Sequence, residues 1–373
     1  MIYYIVFGIS VFSLYYSDRQ TVRDYSGKIF NKKNVFMLFS IIPLILLATF
    51  RDVSIGTDVK VYIAPTFDLA CKAGSYSEFM RTQPYEFLYA TINYLVAQIS
   101  HNIQWLFCVL EIMMLLPTYY FICYHKKQRI SVAISLFSFC FLYYAYTYNT
   151  VRQYMAMACI MIAYTFMDKR SYLKSYILIL TAFGFHTSAF VCVVFPILHW
   201  LITNKKAHMY NKYLIISLVV AVYLIALNYA FFFRLIGTYL PFIPKRYLSN
   251  NYMFSNTVDI PYASLAVSLL AIFISMFIYI KSRSDDDLWL FFLCIMSFPG
   301  NIIAVHAVFV QRIFWYLQMY YIVVLGKGSS LFIKNSVYKY IYGASIFVIV
   351  FFYWLFTYVF GKAALIYPYR MMQ

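Results

Sequence analysis

Apolar runs of about 17–25 residues recur along the chain, separated by short clusters of polar and basic residues. A run of that length, wound as a helix, crosses the ~30 Å hydrocarbon core of a bilayer. The pattern predicts helices over residues 1–16, 34–50, 102–124, 130–149, 151–167, 171–184, 188–202, 211–233, 262–281, 288–304, 309–325 and 337–358. Twelve crossings put both termini outside. No linker, low-complexity segment or repeat divides the chain, so residues 1–373 read as one membrane domain. The expected fold is all-α and polytopic, with about 12 transmembrane helices and short or re-entrant helices around an outward-facing cavity.

Two places depart from this rhythm. Residues 85–99 are apolar enough to enter the membrane, but a full crossing there would put Lys126, Lys127 and Arg129 outside. They are therefore read as an interfacial or re-entrant helix within an outer loop, 51–101. The pair 171–184 and 188–202 is short for two crossings, with Gly184, Phe185 and His186 at the break. Short helices meeting at membrane depth are tolerated where the break lines a cavity. A second long outer loop, 234–261, carries Pro241, Pro244, Lys245, Arg246 and Asp259. Long loops over a cavity are often lids or binding surfaces.

Composition sharpens the picture. The chain of 373 residues is 64% hydrophobic and 12% charged, with mean hydropathy +0.72, which excludes a soluble domain. Its first apolar run has no basic n-region and no small-residue cleavage site, so it is expected to be a retained helix rather than a signal peptide. A net charge of +17 invites a nucleic-acid reading, but its placement rejects one. Most basic residues fall in the loops around residues 19–33, 126–129, 169–174, 205–212, 281–283 and 327–339, assigned to the cytoplasm by the positive-inside rule. Six of seven cysteines lie in apolar spans and no CxxC or Cys/His metal spacing occurs, so neither a disulfide nor a zinc site is expected. The 40 tyrosines suggest an aromatic belt, with sugar stacking as the sharper alternative.

Four arginines, Arg51, Arg152, Arg234 and Arg312, stand at ends of apolar spans on the same predicted outer side. Ionisable groups at membrane depth are costly and usually line a polar cavity. The guanidinium fork matches phosphate oxygens, so this grouping suggests an anionic ligand such as a diphosphate. Around Arg51 runs Arg51-Asp52-Val53-Ser54-Ile55-Gly56-Thr57-Asp58, then Tyr62. Gly56 suits a tight turn, and Thr57 and Asp58 can cap a helix, or Arg51 and Asp58 can offer a phosphate clamp and a base. Arg152 and Gln153 open a helix whose dipole already favours an anion; the plainer alternative for Arg152 is snorkelling. His186-Thr187-Ser188 lies at the helix break, and Gln311-Arg312 has His306 and Tyr316 nearby. The tail Tyr367-Pro368-Tyr369-Arg370 can fray or fold back over the cavity.

Glu86 opens the re-entrant segment and can face the pocket, whereas Glu111 sits inside a span, where an unpaired carboxylate is expensive. Asp285-Asp286-Asp287 contains the DxD pattern of metal-dependent sugar transferases, but on the cytoplasmic side; it reads as a solvated loop. No Walker A loop, GxSxG elbow or HExxH is present.

Arg51, Gly56-Thr57-Asp58, Tyr62, Phe67, Glu86, Arg152-Gln153, His186-Thr187-Ser188, Arg312 and Tyr367-Pro368-Tyr369 together resemble the EpsG-like branch of the Wzy polysaccharide polymerases. The likeness runs nearly the whole chain in order and spacing, and is most specific from Arg152-Gln153 through His186. Departures are the Asp-Val-Ser that follows Arg51 and the Thr187 between His186 and Ser188. The resemblance implies a glycosyltransferase of the bacterial plasma (inner) membrane with its active site facing the periplasm or exterior. It would move a growing glycan from undecaprenyl diphosphate to a hydroxyl of a lipid-linked repeat unit. Chain-length regulator and flippase proteins are implied as partners, with membrane lipid and no nucleic acid.

The residues fit that chemistry. Arg51, Arg152 and Arg312 are candidates to clamp the leaving diphosphate, with Arg234 also on that side, and no metal or other cofactor is expected. Asp58, Glu86 and His186 are candidate bases. Gln153 and Tyr62 would orient sugar or phosphate. A lipid-linked oligosaccharide flippase is the main alternative, and it predicts basic residues along a path through both leaflets rather than on one face. A glycan ligase is a second, and an acyltransferase centred on His186 a third.

Overall fold

A computed structural model describes residues 1–19, 32–128, 130–204, 208–239, 261–305, 307–332 and 335–372; among these, no strand forms and the chain is helical. Helices α1 (Ile2–Arg19) and α2 (Lys32–Thr49) lie side by side. The 51–101 segment folds into short helices α3 (Ala64–Lys72), α4 (Tyr76–Thr82) and α5 (Phe87–Ile99). Next come α6 (Ile103–Tyr124), α7 (Val132–Leu142), α8 (Tyr146–Asn149) and α9 (Val151–Asp168), then α10 (Tyr172–Phe185), α11 (Phe195–Thr203), α12 (His208–Leu227) and α13 (Tyr229–Tyr239). The last part holds α14 (Tyr262–Ser282), α15 (Asp285–Ser297), α16 (Pro299–Ala304), α17 (Val308–Gln311), α18 (Trp315–Gln318), α19 (Tyr321–Gly328) and α20 (Ser336–Trp354).

Local sequence sets many of these boundaries. Ser75 and Glu78 form a capping pair for α4, with Ser75 Oγ accepting the Glu78 N–H at 3.2 Å. Asn102 caps α6 by accepting from Gln104 N–H, and Asn335 caps α20 by accepting from Val337 and Tyr338. Pro299 starts α16, where its missing N–H costs nothing.

The interior is mainly apolar but also holds polar side chains, and much of the outer surface is apolar too, unlike that of a soluble protein. Glu111, Asn93, Gln153 and Asn301 are buried, while Ile5, Ile9 and Phe12 on α1 and Leu173, Ile177 and Leu180 on α10 are exposed at helical spacing. Such a surface belongs in lipid. Among the described residues, four helical stretches are long and apolar enough to cross a membrane: Ile103–Tyr124, Tyr262–Ser282, Asp285–Ala304 and Ser336–Phe360. A fifth forms if Ile215–Leu227 and Tyr229–Tyr239, bent by 91°, are one span. The twelve continuous spans that hydropathy suggests are thus not established among the described residues. Several apolar runs are interrupted, as at Tyr143–Ala145 between α7 and α8 and around His186. Others, such as α1 and α9, include polar ends: Asp18 and Arg19, or Arg152, Gln153 and Asp168.

The break at 143–145 is buried, and its backbone turns back onto the preceding helix. Tyr143, Tyr144 and Ala145 are buried, and the Tyr143 and Tyr144 N–H groups both donate to Phe139 O. Tyrosine hydroxyls do much of the remaining work: Tyr144 donates to Leu44 O at 2.6 Å, Tyr143 to Gln318 O at 2.9 Å and Tyr164 to Tyr316 O at 3.1 Å. For these residues the interfacial-belt reading does not hold; they are core pins.

Helix α9 runs through the core against α6 and α10, so Arg152 and Asp168 lie at opposite ends, about 24 Å apart at 1.5 Å per residue. Near Asp168, His125 and His199 flank its carboxylate, and Arg170 reaches Asp286 at 3.3 Å. Asp285-Asp286-Asp287 is not the loop expected from sequence. It forms the first turn of α15, capped by Ser284, with Asp287 buried and paired to Lys327 at 2.5 Å. Acidic residues suit a helix N-terminus. The tail folds back rather than fraying: Met372 N–H donates to Phe50 O, Asp52 N–H to Arg370 O, and Tyr369 Oη to Leu47 O. In the 234–261 segment, 234–239 is helical; Pro241, Pro244, Lys245, Arg246 and Asp259, like His306, lie outside the described residues.

Candidate functional site

Three helix breaks meet around the first turns of α9. They are 143–150, 185–188 and the run of short helices 308–318. Tyr146 stacks on Trp315 at 4.5 Å between ring centroids, and Gln153 Nε2 donates to Arg312 O at 2.7 Å. These contacts fix the Arg312 turn beside Arg152.

The 51–58 turn docks onto the same place. Gly56 has φ +90°, and a Cβ there would lie 2.4 Å from Tyr148 O, so only glycine permits the approach. The Asn149 side-chain oxygen then accepts from the Thr57 hydroxyl and from Asp58 N–H. A widened helical turn, Val59–Ile63, follows, and its Tyr62 Oη donates to Asp58 Oδ2 at 2.6 Å. Burial raises the Asp58 pKa above the ordinary carboxylate value; the Tyr62 hydrogen bond and the charges of Arg312 and Arg152 oppose it.

Glu86 and Arg152 form an ion pair at 2.5 Å, with 14% and 21% of their side chains exposed. They are therefore shielded yet reachable. The Arg152 guanidinium lies over the rings of Tyr62 and Tyr85 at 4.7 and 4.5 Å, a stack that holds its plane. The second Glu86 oxygen accepts from Thr187 N–H at 3.3 Å. Arg152 Nε and Gln153 Oε1 are buried with no hydrogen-bond partner among the described residues. Orphan polar atoms of this kind call for a ligand or water.

His186 closes the ring. Its Nδ1 lies 2.7 Å from Ser188 Oγ, which is 2.9 Å from the Tyr316 hydroxyl. Burial chiefly lowers the imidazole pKa to about 4; Arg152 and Arg312 act in the same direction, and Glu86 against it. The charges of Arg152 and Arg312 thus reach both Asp58 and His186, while Arg312 also faces the Trp315 ring at 5.6 Å.

Seven of the residues singled out in the sequence come together here: Asp58, Tyr62, Glu86, Arg152, Gln153, His186 and Arg312. Two stand elsewhere. Arg51 is 1% exposed, held between the Phe107 and Tyr148 rings at 4.1 and 4.4 Å, and donates to Ala48 O. Its backbone pairs with Met371 of the tail, and its charge acts on buried Glu111. Arg234 is exposed on α13, a helix that starts at Tyr229, packed against Ile303 and Val310. Tyr85 and Trp315 were not singled out by sequence. Tyr85 directly precedes Glu86, but nothing in composition separates it from the other tyrosines. Among the described residues, no three His, Cys, Asp or Glu side chains converge as a metal site.

Fold and site together define an all-helical membrane protein that gathers two arginines, two carboxylates and a histidine at a junction of broken helices. The family model described as the EpsG family matches residues 34–371. The chain belongs to that family, a Wzy-like polymerase family, and membership points to a polysaccharide polymerase-like, glycosyltransferase-like role. No curated protein and no solved structure matches it.

Proposed function

We propose that the protein is a polysaccharide repeat-unit polymerase of the bacterial plasma membrane. In this reading it transfers a growing glycan from undecaprenyl diphosphate to a lipid-linked repeat unit, at a site facing the exterior. Shorter apolar helices would pair across their breaks to complete about twelve crossings. The observation that carries the reading is the gathering of Arg152, the Arg312 turn, Glu86, Asp58 and His186 at one junction of broken helices, linked through Gln153, Tyr62 and Thr187. An acceptor hydroxyl oxygen forms a bond to the donor's anomeric carbon, the bond from that carbon to the phosphate oxygen breaks, and the electron pair leaves on the diphosphate. Arg152 and Arg312 stabilise that growing charge; fixed cations in a water-poor site are often the largest catalytic contribution. Arg152 has N–H donors beyond the one spent on Glu86. Arg51 is assigned to holding the tail and the 51–58 turn rather than to the clamp.

The test is polymerisation by purified protein of a synthetic lipid-diphosphate-linked repeat unit in EDTA, comparing wild type with Arg152→Ala. A product ladder from wild type that the variant fails to make supports the reading. A folded protein that binds the substrate but extends nothing moves weight to a flippase or ligase.

A further inference from the structure

The role of His186 can be taken further, on the footing of the glycosyl-transfer reading above. Its two ring nitrogens are not equivalent. The Ser188 backbone N–H donates to Nδ1 at 3.2 Å and caps the helical turn Thr187–Val194. An amide N–H offers only a proton, so Nδ1 must present its lone pair and carries no hydrogen of its own. The Ser188 hydroxyl, 2.7 Å from the same nitrogen, must then donate to it. That leaves Ser188 Oγ to accept from the Tyr316 hydroxyl at 2.9 Å. The chain runs from Tyr316 O–H to Ser188 O–H to Nδ1, and the neutral ring keeps its hydrogen on Nε2. Nε2 makes no hydrogen bond to a described residue.

We infer that His186 serves the reaction as a neutral Nε2–H donor to an anionic oxygen of the leaving diphosphate, and that Ser188 and Tyr316 are positioning residues that set its tautomer. Nε2 holding its hydrogen has no lone pair for a substrate hydroxyl. The charged groups around the ring are Glu86 before α5, Arg152 on α9 and Arg312 on the turn after α17. Burial, aided by the two arginines, outweighs Glu86 and leaves the ring neutral well below pH 7. Both Glu86 oxygens are already engaged, by Arg152 and by Thr187 N–H. Glu86 is held in its ion pair with Arg152, whereas Asp58 forms none with a described residue, so in this reading Asp58 takes the acceptor's proton and His186 keeps its own.

Nitrogen-15 NMR of histidine-labelled protein reads the tautomer directly, and the His186 signal is assigned by its loss in His186→Gln. The expected result is the Nε2–H form at pH 7, without imidazolium down to about pH 5, given the pKa of about 4. An Nδ1–H tautomer or an imidazolium at pH 7 overturns the inference. The activity arm compares His186→Gln, whose amide can donate from the Nε2 position but cannot titrate, with His186→Ala. We expect His186→Gln within ~10-fold of the wild-type kcat and His186→Ala lower by ~10²–10³-fold, the usual loss for one preorganised donor. Equal inactivity of the two variants, with substrate binding intact, overturns the donor role. Absence of any polymer from the wild type would sink the glycosyl-transfer reading itself, while the tautomer measurement still stands.

Discussion

Gly56→Ala asks whether the turn that carries Asp58 depends on its contact with the α8 backbone. Gly56 has φ +90°, and the added Cβ would fall 2.4 Å from Tyr148 O and 3.1 Å from its carbonyl carbon. Neither atom is the flexible end of a side chain, so backbone must move. Holding a non-glycine residue at such a φ costs about 1–3 kcal/mol. Relieving the overlap costs about 1–3 kcal/mol more, giving a loss of about 2–6 kcal/mol in all. The movement would pull Thr57 and Asp58 away from the Asn149 oxygen that holds them. A displacement of ~1 Å at a catalytic group can cost on the order of 10²-fold in rate. Gly8→Ala is the control: no heavy atom lies within 4 Å of its added Cβ, and the site is inside α1. There alanine is expected to stabilise by about 0.5–1 kcal/mol. Denaturant unfolding in detergent and the rate of ladder formation read both variants. If Gly56→Ala unfolds with the wild type and polymerises at the same rate, the turn does not position Asp58 and the reasoning fails.

Three further outcomes follow from the same geometry. Arg152→Lys keeps the charge but loses the planar fork that stacks on Tyr62 and Tyr85, so its polymerisation rate should fall ~10²-fold or more, close to Arg152→Ala; recovery to wild-type rate would show that charge alone suffices. Gln153→Leu removes the 2.7 Å bond to Arg312 O, which should cost about 1–2 kcal/mol of stability and lower kcat more than it changes KM, checked by unfolding and steady-state assays. Burial raises the Asp58 pKa, so polymerisation should increase with pH as Asp58 ionises, through a midpoint above 3.8. Stability runs the other way: the folded state holds the Asp58 proton more tightly than the unfolded chain, so its contribution is full below that value and is lost as pH rises through the folded pKa. Asp58→Asn should accordingly be inactive yet no less stable at pH 7; an active variant would remove Asp58 from the base role.

The sequence by itself determined the class of molecule and pointed to most of the residues that gather at the candidate site. Mean hydropathy, the spacing of apolar runs and basic loops leave little room besides a helical membrane protein, because each backbone polar group in lipid must be satisfied within its own segment. Arg152-Gln153 and His186-Thr187-Ser188 stood out because polar side chains at the ends and breaks of apolar spans are rare and expensive, and Asp58 because it follows Arg51 and Gly56 in one outer turn. What such a reading cannot supply is partnership across the fold. Arg51 and Arg152 look alike along the chain, each at the end of an apolar run. Only packing separates them: Arg51 is closed between two rings and under the tail, while Arg152 stands over Tyr62 and Tyr85 with Glu86 beside it. Continuity of the helices was likewise decided in three dimensions. A hydropathy run does not reveal that Tyr143 and Tyr144 break a helix: their N–H groups turn back locally onto Phe139 O, but the broken segment is held in place by residues distant in sequence, as where the Tyr143 hydroxyl donates to Gln318 O. The tautomer of His186 is of the same kind: the Nδ1 contact with Ser188 is local, but the hydroxyl that completes the chain comes from Tyr316, 128 residues away.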